Sequence, residues 1–388
     1  MARRRRPGNP SPSPFRGSGA TFADSPREPV LDRARSDTAM LLLRDAQKSD
    51  LRGLSALARV LNSVNLPADE RALTGIIDRS VRSFRGEIRD PLRRHYVFVL
   101  EDPRTRRIIG TSMVIAKHGT RESPCTFFDV SEREHYSSFL DRHFRHKVLS
   151  IGYHFDGPTE IGGLVVDPTR RRGEEKPGKQ LAYVRFLYVA MFRRCFRDTV
   201  LAELMPPMLA DGRSLFWESC GKRFTGLDYQ SADKLSRRNK EFIQQLFPPF
   251  DLYATLFPPR VQRLLGAVAP ETRGAERMLS RVGFRYVNRI DPFDGGPHYE
   301  CKTDDISLVR AHRRLAVSRR EPASHSEQKL VGVAPNGGRA RFRAVRTPAR
   351  LEGEEVRLPR EARRLLRVEP GDPVHVIPFD EPRRAGRG

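Results

Sequence analysis

Residues 158–192, PTEIGGLVVDPTRRRGEEKPGKQLAYVRFLYVAMF, constrain the architecture more than any other stretch. The apolar, β-branched run 161–166 has the length of a buried strand. Asp167-Pro168 ends it, and a loop follows that carries Arg170, Arg171, Arg172, Gly173, Lys176, Gly178 and Lys179. From Gln180 the period becomes helical, with Leu181, Val184, Leu187, Tyr188 and Met191 three and four residues apart. A strand, a basic glycine-containing loop and a helix can together hold a phosphate. The first helical amides have no internal partners, and arginine forks grip phosphate oxygens in pairs. An ordinary strand-to-helix turn with solvated charges fits the same residues. Neither a Walker A sequence nor a G-x-G-x-x-G fingerprint is present.

Around this unit the pattern predicts a mixed α/β fold: a mixed sheet flanked by helices, with a small β-rich module at the end. Residues 1–37 are rich in Arg, Pro, Ser and Gly without apolar periodicity, and read as a disordered extension. A strand at 40–44 leads to a helix with Leu51, Leu54, Leu57 and Leu61 on one face, a loop over 61–69 and a second helix at 69–86. A hairpin follows, 96–100 with 108–115. Residues 118–150 show no clear period, and a strand is predicted at 150–154. Further strands are predicted at 198–204 and in 293–301, and a polar helix at 231–248. Residues 214–224 and 275–286 both read as a helix, a glycine and a strand, which suggests two related halves. The main α/β region is thus 38–305, with a linker at 306–332 and the β-rich module at 333–388.

The net charge of +23 would suit a nucleic-acid partner, but 12 of those charges sit at the two ends. Residues 1–40 hold 8 Arg against 4 acids and 311–388 hold 18 basic residues against 10, with no aromatic-interleaved basic run. Nucleic acid is therefore not the expected partner. Cys125, Cys195, Cys220 and Cys301 are far apart with no C-x-x-C, so neither a zinc site nor a disulfide framework is indicated, and a reduced, cytoplasmic setting fits best. No stretch approaches the roughly 18 consecutive apolar residues of a membrane span, and the N-terminal arginines precede no apolar segment.

Several blocks in order resemble the bacterial arginine N-succinyltransferases, acyl-CoA enzymes with a GNAT-like fold. They are Leu66-Pro67-Ala68, the YVFVLED run at 96–102, Gly110-Thr111-Ser112, Glu160 with 164–168, 214–224, Ala232-Asp233, Phe242-Ile243, 283–286 and 293–301. The resemblance implies succinyl transfer from succinyl-CoA to the α-amino group of arginine or a related amino acid, in arginine catabolism. It implies an acyl-CoA co-substrate, no metal, and a homo- or hetero-oligomer. It assigns the acyl-CoA contact to Leu164, with Val165 and Val166, and the pyrophosphate to Arg171, Arg172, Gly173, Gly178 and Lys179. The family's acid/base histidine falls at Ala269 here, and a methyl group cannot move a proton. His154 and Glu160 are the nearest replacements in sequence, and His298 is a third choice. Asp294 and Glu300 are the candidates for holding a guanidinium, and Trp217 is assigned to the core. A GNAT-like enzyme with another acceptor, or an inactive subunit paired with an active paralogue, are the alternative readings.

Overall fold

The computed structural model describes residues 40–61, 67, 69–121, 123–236, 239–323, 326–334 and 341–380. The expected disorder of 1–37, and most of the expected loop at 61–69, lie outside the described residues.

The fold opens with β1 (Leu42–Asp45), α1 (Leu51–Leu61) and α2 (Glu70–Phe84). Asp69 starts α2 by accepting the Ala72 amide, 2.8 Å. Leu54, Leu57, Ala58, Leu73, Ile77 and Val81 bury one stripe of this helix pair against Val97, Val99, Met113 and Val165 of the sheet. β2 (His95–Asp102) and β3 (Arg107–Ile115) form the predicted hairpin. Strand, two helices and hairpin follow the order read from the sequence.

Residues 118–150, which showed no period, hold most of a long hairpin. β4 (Cys125–Ser137) and β5 (Arg142–His154) pair in continuous register from Cys125↔His154 to Ser137↔Arg142. Its outer half is exposed, including Tyr136, Phe139, Leu140 and Phe144. With no buried face there, nothing imposes the alternation that marks a strand.

Next come β6 (Thr159–Val166), α3 (Pro177–Met191) and β7 (Thr199–Glu203). α3 is buried on nearly all sides, with Tyr188 among Phe84, Tyr96, Phe98 and Phe342. The segment after β7 corrects the expected repeat. α4 (Leu215–Ser219), α5 (Gly221–Thr225), α6 (Tyr229–Ser236) and α7 (Glu241–Leu246) succeed one another, so no strand follows Phe224. Gly221 lies so close to Trp217 that a Cβ there would meet the indole at 2.3 Å. This lets the two short helices fold back around Trp217, which is fully buried and stacked on Phe293 at 5.0 Å. β8 (Leu252–Tyr253) and α8 (Pro259–Gln262) complete this helical layer. α9 (Arg273–Val282), Gly283 and β9 (Arg285–Ile290) do form the helix–glycine–strand unit, with Gly283 at φ +116 as the cap. β10 (Pro297–Lys302) follows.

Residues 306–332, expected as a linker, join the sheet instead. After α10 (Ser307–Arg310), β11 (Arg313–Val317) and β12 (Gln328–Val333) bury Leu315, Val317, Leu330 and Val331. Basic residues on the exposed positions of these strands masked the alternation. β13 (Arg343–Pro348), β14 (Arg350–Glu352), β15 (Glu355–Arg357), α11 (Arg360–Leu366) and β16 (Pro373–Pro378) make the β-rich end with its one helix. β13 pairs with β1, so one sheet runs β14-β15-β11-β16-β12-β13-β1-β2-β3-β6-β7-β10-β9-β4-β5-β8. Among the described residues no helix is long and apolar enough to cross a membrane.

Candidate active site

The sheet opens at its centre. β6 and β7 run parallel but share register only at Thr159↔Val200 and Glu160↔Leu201, so the rest of β6 has no strand beside it on that side. On the other side the register with β3 jumps from Met113↔Gly162 to Thr111↔Val165. Gly163 and Leu164 therefore stand opposite Ser112 as a bulge. Gly163 has φ +57, and a Cβ there would meet Met113 Cγ at 3.0 Å. The Gly162-Gly163 pair is what permits this backbone. A bulge beside a missing strand leaves backbone N–H and C=O groups for an extended amide-bearing ligand. Leu164 is half-buried at this point, while Val165 and Val166 are buried behind it.

The basic loop lies at the far end of β6. Asp167 shapes its start by accepting from Thr169 N and Oγ1 at 3.0 and 2.8 Å. Those bonds, with Arg107 at 2.9 Å, hold its carboxyl below the usual range. Arg171 donates through Nε to the Val166 carbonyl, 3.2 Å, and both Arg171 and Arg172 are exposed. Lys176, at φ 53, precedes Pro177, so α3 begins three residues before the predicted Gln180. Gly178 and Lys179 thus sit in the first turn, among amides without helical partners. A Cβ on Gly178 would come no nearer than 3.9 Å to Val166, so the approach to those amides is open. The Lys179 ammonium lies over the rings of Tyr183 (5.1 Å) and Phe379 (4.8 Å), tying the loop to the end of β16.

At the closed end of the gap, titratable groups converge on the sheet face that α1 and α2 also cover. His118 follows β3, with its amide on the Pro158 carbonyl at 2.8 Å and its carbonyl on Gly157 N at 3.0 Å. This brings His118 Nδ1 onto Glu160 Oε2, with Glu160 only 2% exposed. Burial disfavours the imidazolium, but the Glu160 carboxylate outweighs it, and the His118 pKa is raised. Glu203 and His298 are register partners across β7 and β10, with His298 Nε2 3.5 Å from Glu203 Oε1. His298 is 1% exposed and its Nε2 has no hydrogen-bond partner; burial pushes its pKa down to about 4, so it is neutral at pH 7. Glu203 is raised by burial and by Glu160, and Asp291 is raised to about 6 by burial and by Glu203.

Ligand atoms of Glu203, Asp291 and His298 all lie within 4.8 Å of one another. Two carboxylates and a neutral imidazole suit a cationic nitrogen or a metal ion. The Lys240 charge already bears on both carboxylates, which favours the weaker demand of an organic cation.

The structure redistributes the predicted residues. Glu160 is central. His154 is not joined to it: its Nε2 is 3.2 Å from Arg289 Nη1 and its ring lies against Phe127 at 4.7 Å. Burial and the Arg289 charge lower its pKa, so a nitrogen engaged by a guanidinium is a poor proton acceptor. Arg289 also binds Asp129 at 2.8 Å and lies 3.7 Å from Glu300, so Glu300 faces an internal guanidinium. Asp294 belongs to a turn: its Oδ1 accepts Gly296 N at 2.7 Å, and its own amide donates to Asp291 at 3.1 Å. Ala269 is buried beside the end of β7, its amide on the Met205 carbonyl at 2.9 Å. Sequence reasoning missed His118, Glu203, Asp291 and Arg289. No local sequence signal marked them; for His118 it is the β3–β6 register, with Ile115 opposite Glu160, that carries residue 118 past the same strand end.

Comparison with known proteins agrees with this geometry. Residues 41–308 match the family described as arginine N-succinyltransferase beta subunit, and residues 313–378 match its C-terminal domain. The arginine N-succinyltransferase of Enterobacter sp. (strain 638) is 32% identical over 341 residues, covering 87% of this chain and 97% of that protein. The Yersinia pestis protein of the same name is 31% identical over 350 residues, covering 88% and 99%. Among solved structures, the arginine/ornithine succinyltransferase subunit AI from Pseudomonas aeruginosa superimposes with a TM-score of 0.77 at 28% identity, covering 88% of this chain and all of that one. The chain is an acyltransferase and belongs to the arginine N-succinyltransferase family.

Proposed function

We propose that the enzyme transfers succinyl from succinyl-CoA to the α-amino group of arginine or a related amino acid, as a step in arginine breakdown. The parting of β6 and β7 at the Gly163 bulge carries this reading. The pantetheine arm takes the place of the missing strand, and the thioester oxygen meets the Leu164 amide as negative charge develops there. The pyrophosphate lies at the first turn of α3, with Arg171, Arg172, Gly173, Gly178 and Lys179 around it. The acceptor's cationic end faces Glu203 and Asp291 in place of Asp294 and Glu300. Four free cysteines support a reduced, cytoplasmic setting, and the exposed apolar tip of the β4–β5 hairpin supports assembly with other chains.

Arg172→Ala is expected to weaken acyl-CoA binding by about 1.5–3 kcal/mol, the scale of a hydrogen bond to a charged group. Calorimetric titration checks this, and unchanged affinity would remove the loop from the site. Asp291→Asn is expected to raise KM for arginine about 10–100-fold, for loss of a charge-assisted contact, without moving the KM for acyl-CoA. Equal changes in both would contradict the acceptor assignment.

A second reading, a non-catalytic subunit, draws on Ala269, whose side chain has no proton to exchange. Turnover by the isolated chain decides between the two.

A further inference from the structure

We propose that His118, held by Glu160, takes the proton from the acceptor's ammonium so that the free amine can attack the thioester. This rests on the acyl-transfer reading above. A carboxylate only accepts hydrogen bonds, so Nδ1 carries the ring proton toward Glu160 and Nε2 keeps its lone pair. The His118 side chain is 18% exposed against 2% for Glu160, so the imidazole is the member of the pair that a ligand can reach.

The groups facing it are Glu160 of β6, Glu203 of β7, His298 of β10, His95 of β2 and Lys240 before α7, with Cys125 of β4 near Glu160 and Glu203. None of the others is a comparable base at neutral pH. Burial drives His95 down to about 3 and His298 to about 4, and keeps the Cys125 thiol protonated. Glu203 lies beside the cationic subsite, where its charge holds the acceptor.

In the reaction an N–H bond of the ammonium breaks and its proton passes to His118 Nε2. The freed lone pair forms the C–N bond, and the C–S bond then breaks. Two protons leave nitrogen in all: one ends on the departing sulfur and one goes to solvent.

The sign of the pH dependence follows. His118 must be neutral to act, and Glu160 raises its pKa, so activity falls as pH drops through that raised value. Glu160→Gln removes the carboxylate, and the acid limb should move to lower pH.

The test measures kcat/KM against pH for CoA release from succinyl-CoA with arginine, in the wild type, His118→Gln and Glu160→Gln. Histidine-selective NMR titration of the wild type runs beside it. His118→Gln should lose about 10²–10⁴-fold, the range for a positioned base, and lose the acid limb, with succinyl-CoA affinity within about twofold of wild type. The wild-type NMR titration should place the His118 ring above the ordinary imidazole value. A His118→Gln enzyme with wild-type rate and limb overturns the proposal and leaves acyl transfer standing. So does a ring that titrates below the ordinary value, which needs no variant to fold. No CoA release by the wild type overturns both.

Discussion

Replacing Gly163 by valine is expected to lower kcat at least about 100-fold, the cost of a misplacement of about 1 Å at a reacting centre. The acyl-CoA Kd should move much less. Gly163 holds φ +57, a region in which a β-branched residue is strained. A Cβ there would also press on Met113 Cγ at 3.0 Å, and Met113 is itself buried against α1 and α2. Two routes of relief exist: Met113 swings away, or the bulge flattens into regular β pairing. Flattening re-aims the Leu164 amide, and one misdirected donor at an oxyanion typically costs about 10²–10³-fold. The pyrophosphate contacts proposed at α3 lie beyond Val166 and should be untouched. Thus kcat and Kd should separate, as single-turnover kinetics and calorimetry can show. A valine variant of normal kcat would mean that the bulge does not set the acyl position.

The second large effect concerns stability. Arg44→Ala is expected to destabilise the fold by about 3–5 kcal/mol, the range for breaking a buried ion pair from one side. Arg44 is 8% exposed and forks to Asp50 at 2.7 and 2.8 Å, with Nε on Glu101 at 2.7 Å. Without it, the buried Asp50 and Glu101 carboxylates lose their shared guanidinium, and among the described residues the exposed Arg106 still reaches Glu101, at 3.1 Å. The position matters because β1 joins the central strands, through β2, to the C-terminal strands, through β13. Urea unfolding followed by circular dichroism measures the loss. Arg44→Lys, which keeps charge but not the fork, should fall between. A loss under about 1 kcal/mol for alanine, the size of an exposed pair, would mean that water reaches these carboxylates.

The residues that announced themselves in the sequence did so through short-range physics. The strand 161–166, the helix after it and the Gly283 cap each follow from apolar period or glycine at a left-handed turn. The start of α3 was misjudged by three residues, because Pro177 begins the helix before the apolar stripe does. β4, the outer part of β5, β11 and β12 were illegible for another reason: their polarity reflects exposure or basic edges, not the absence of pairing. The site was the least legible part. Glu160, Glu203, Asp291, His118 and His298 come from three strands and two loops, and their proximity is set by register. Local composition could point to His154 beside Glu160 in sequence, whereas the pairing of β3 with β6 brings His118 there instead.

The most direct test of acyl transfer is CoA release by the isolated chain, supplied with succinyl-CoA and arginine, with the product's acylated nitrogen located by mass spectrometry. The structure predicts CoA release that depends on arginine, with succinyl found on the α-nitrogen. Succinyl-CoA binding with no CoA released for arginine, ornithine or a panel of amines would contradict it.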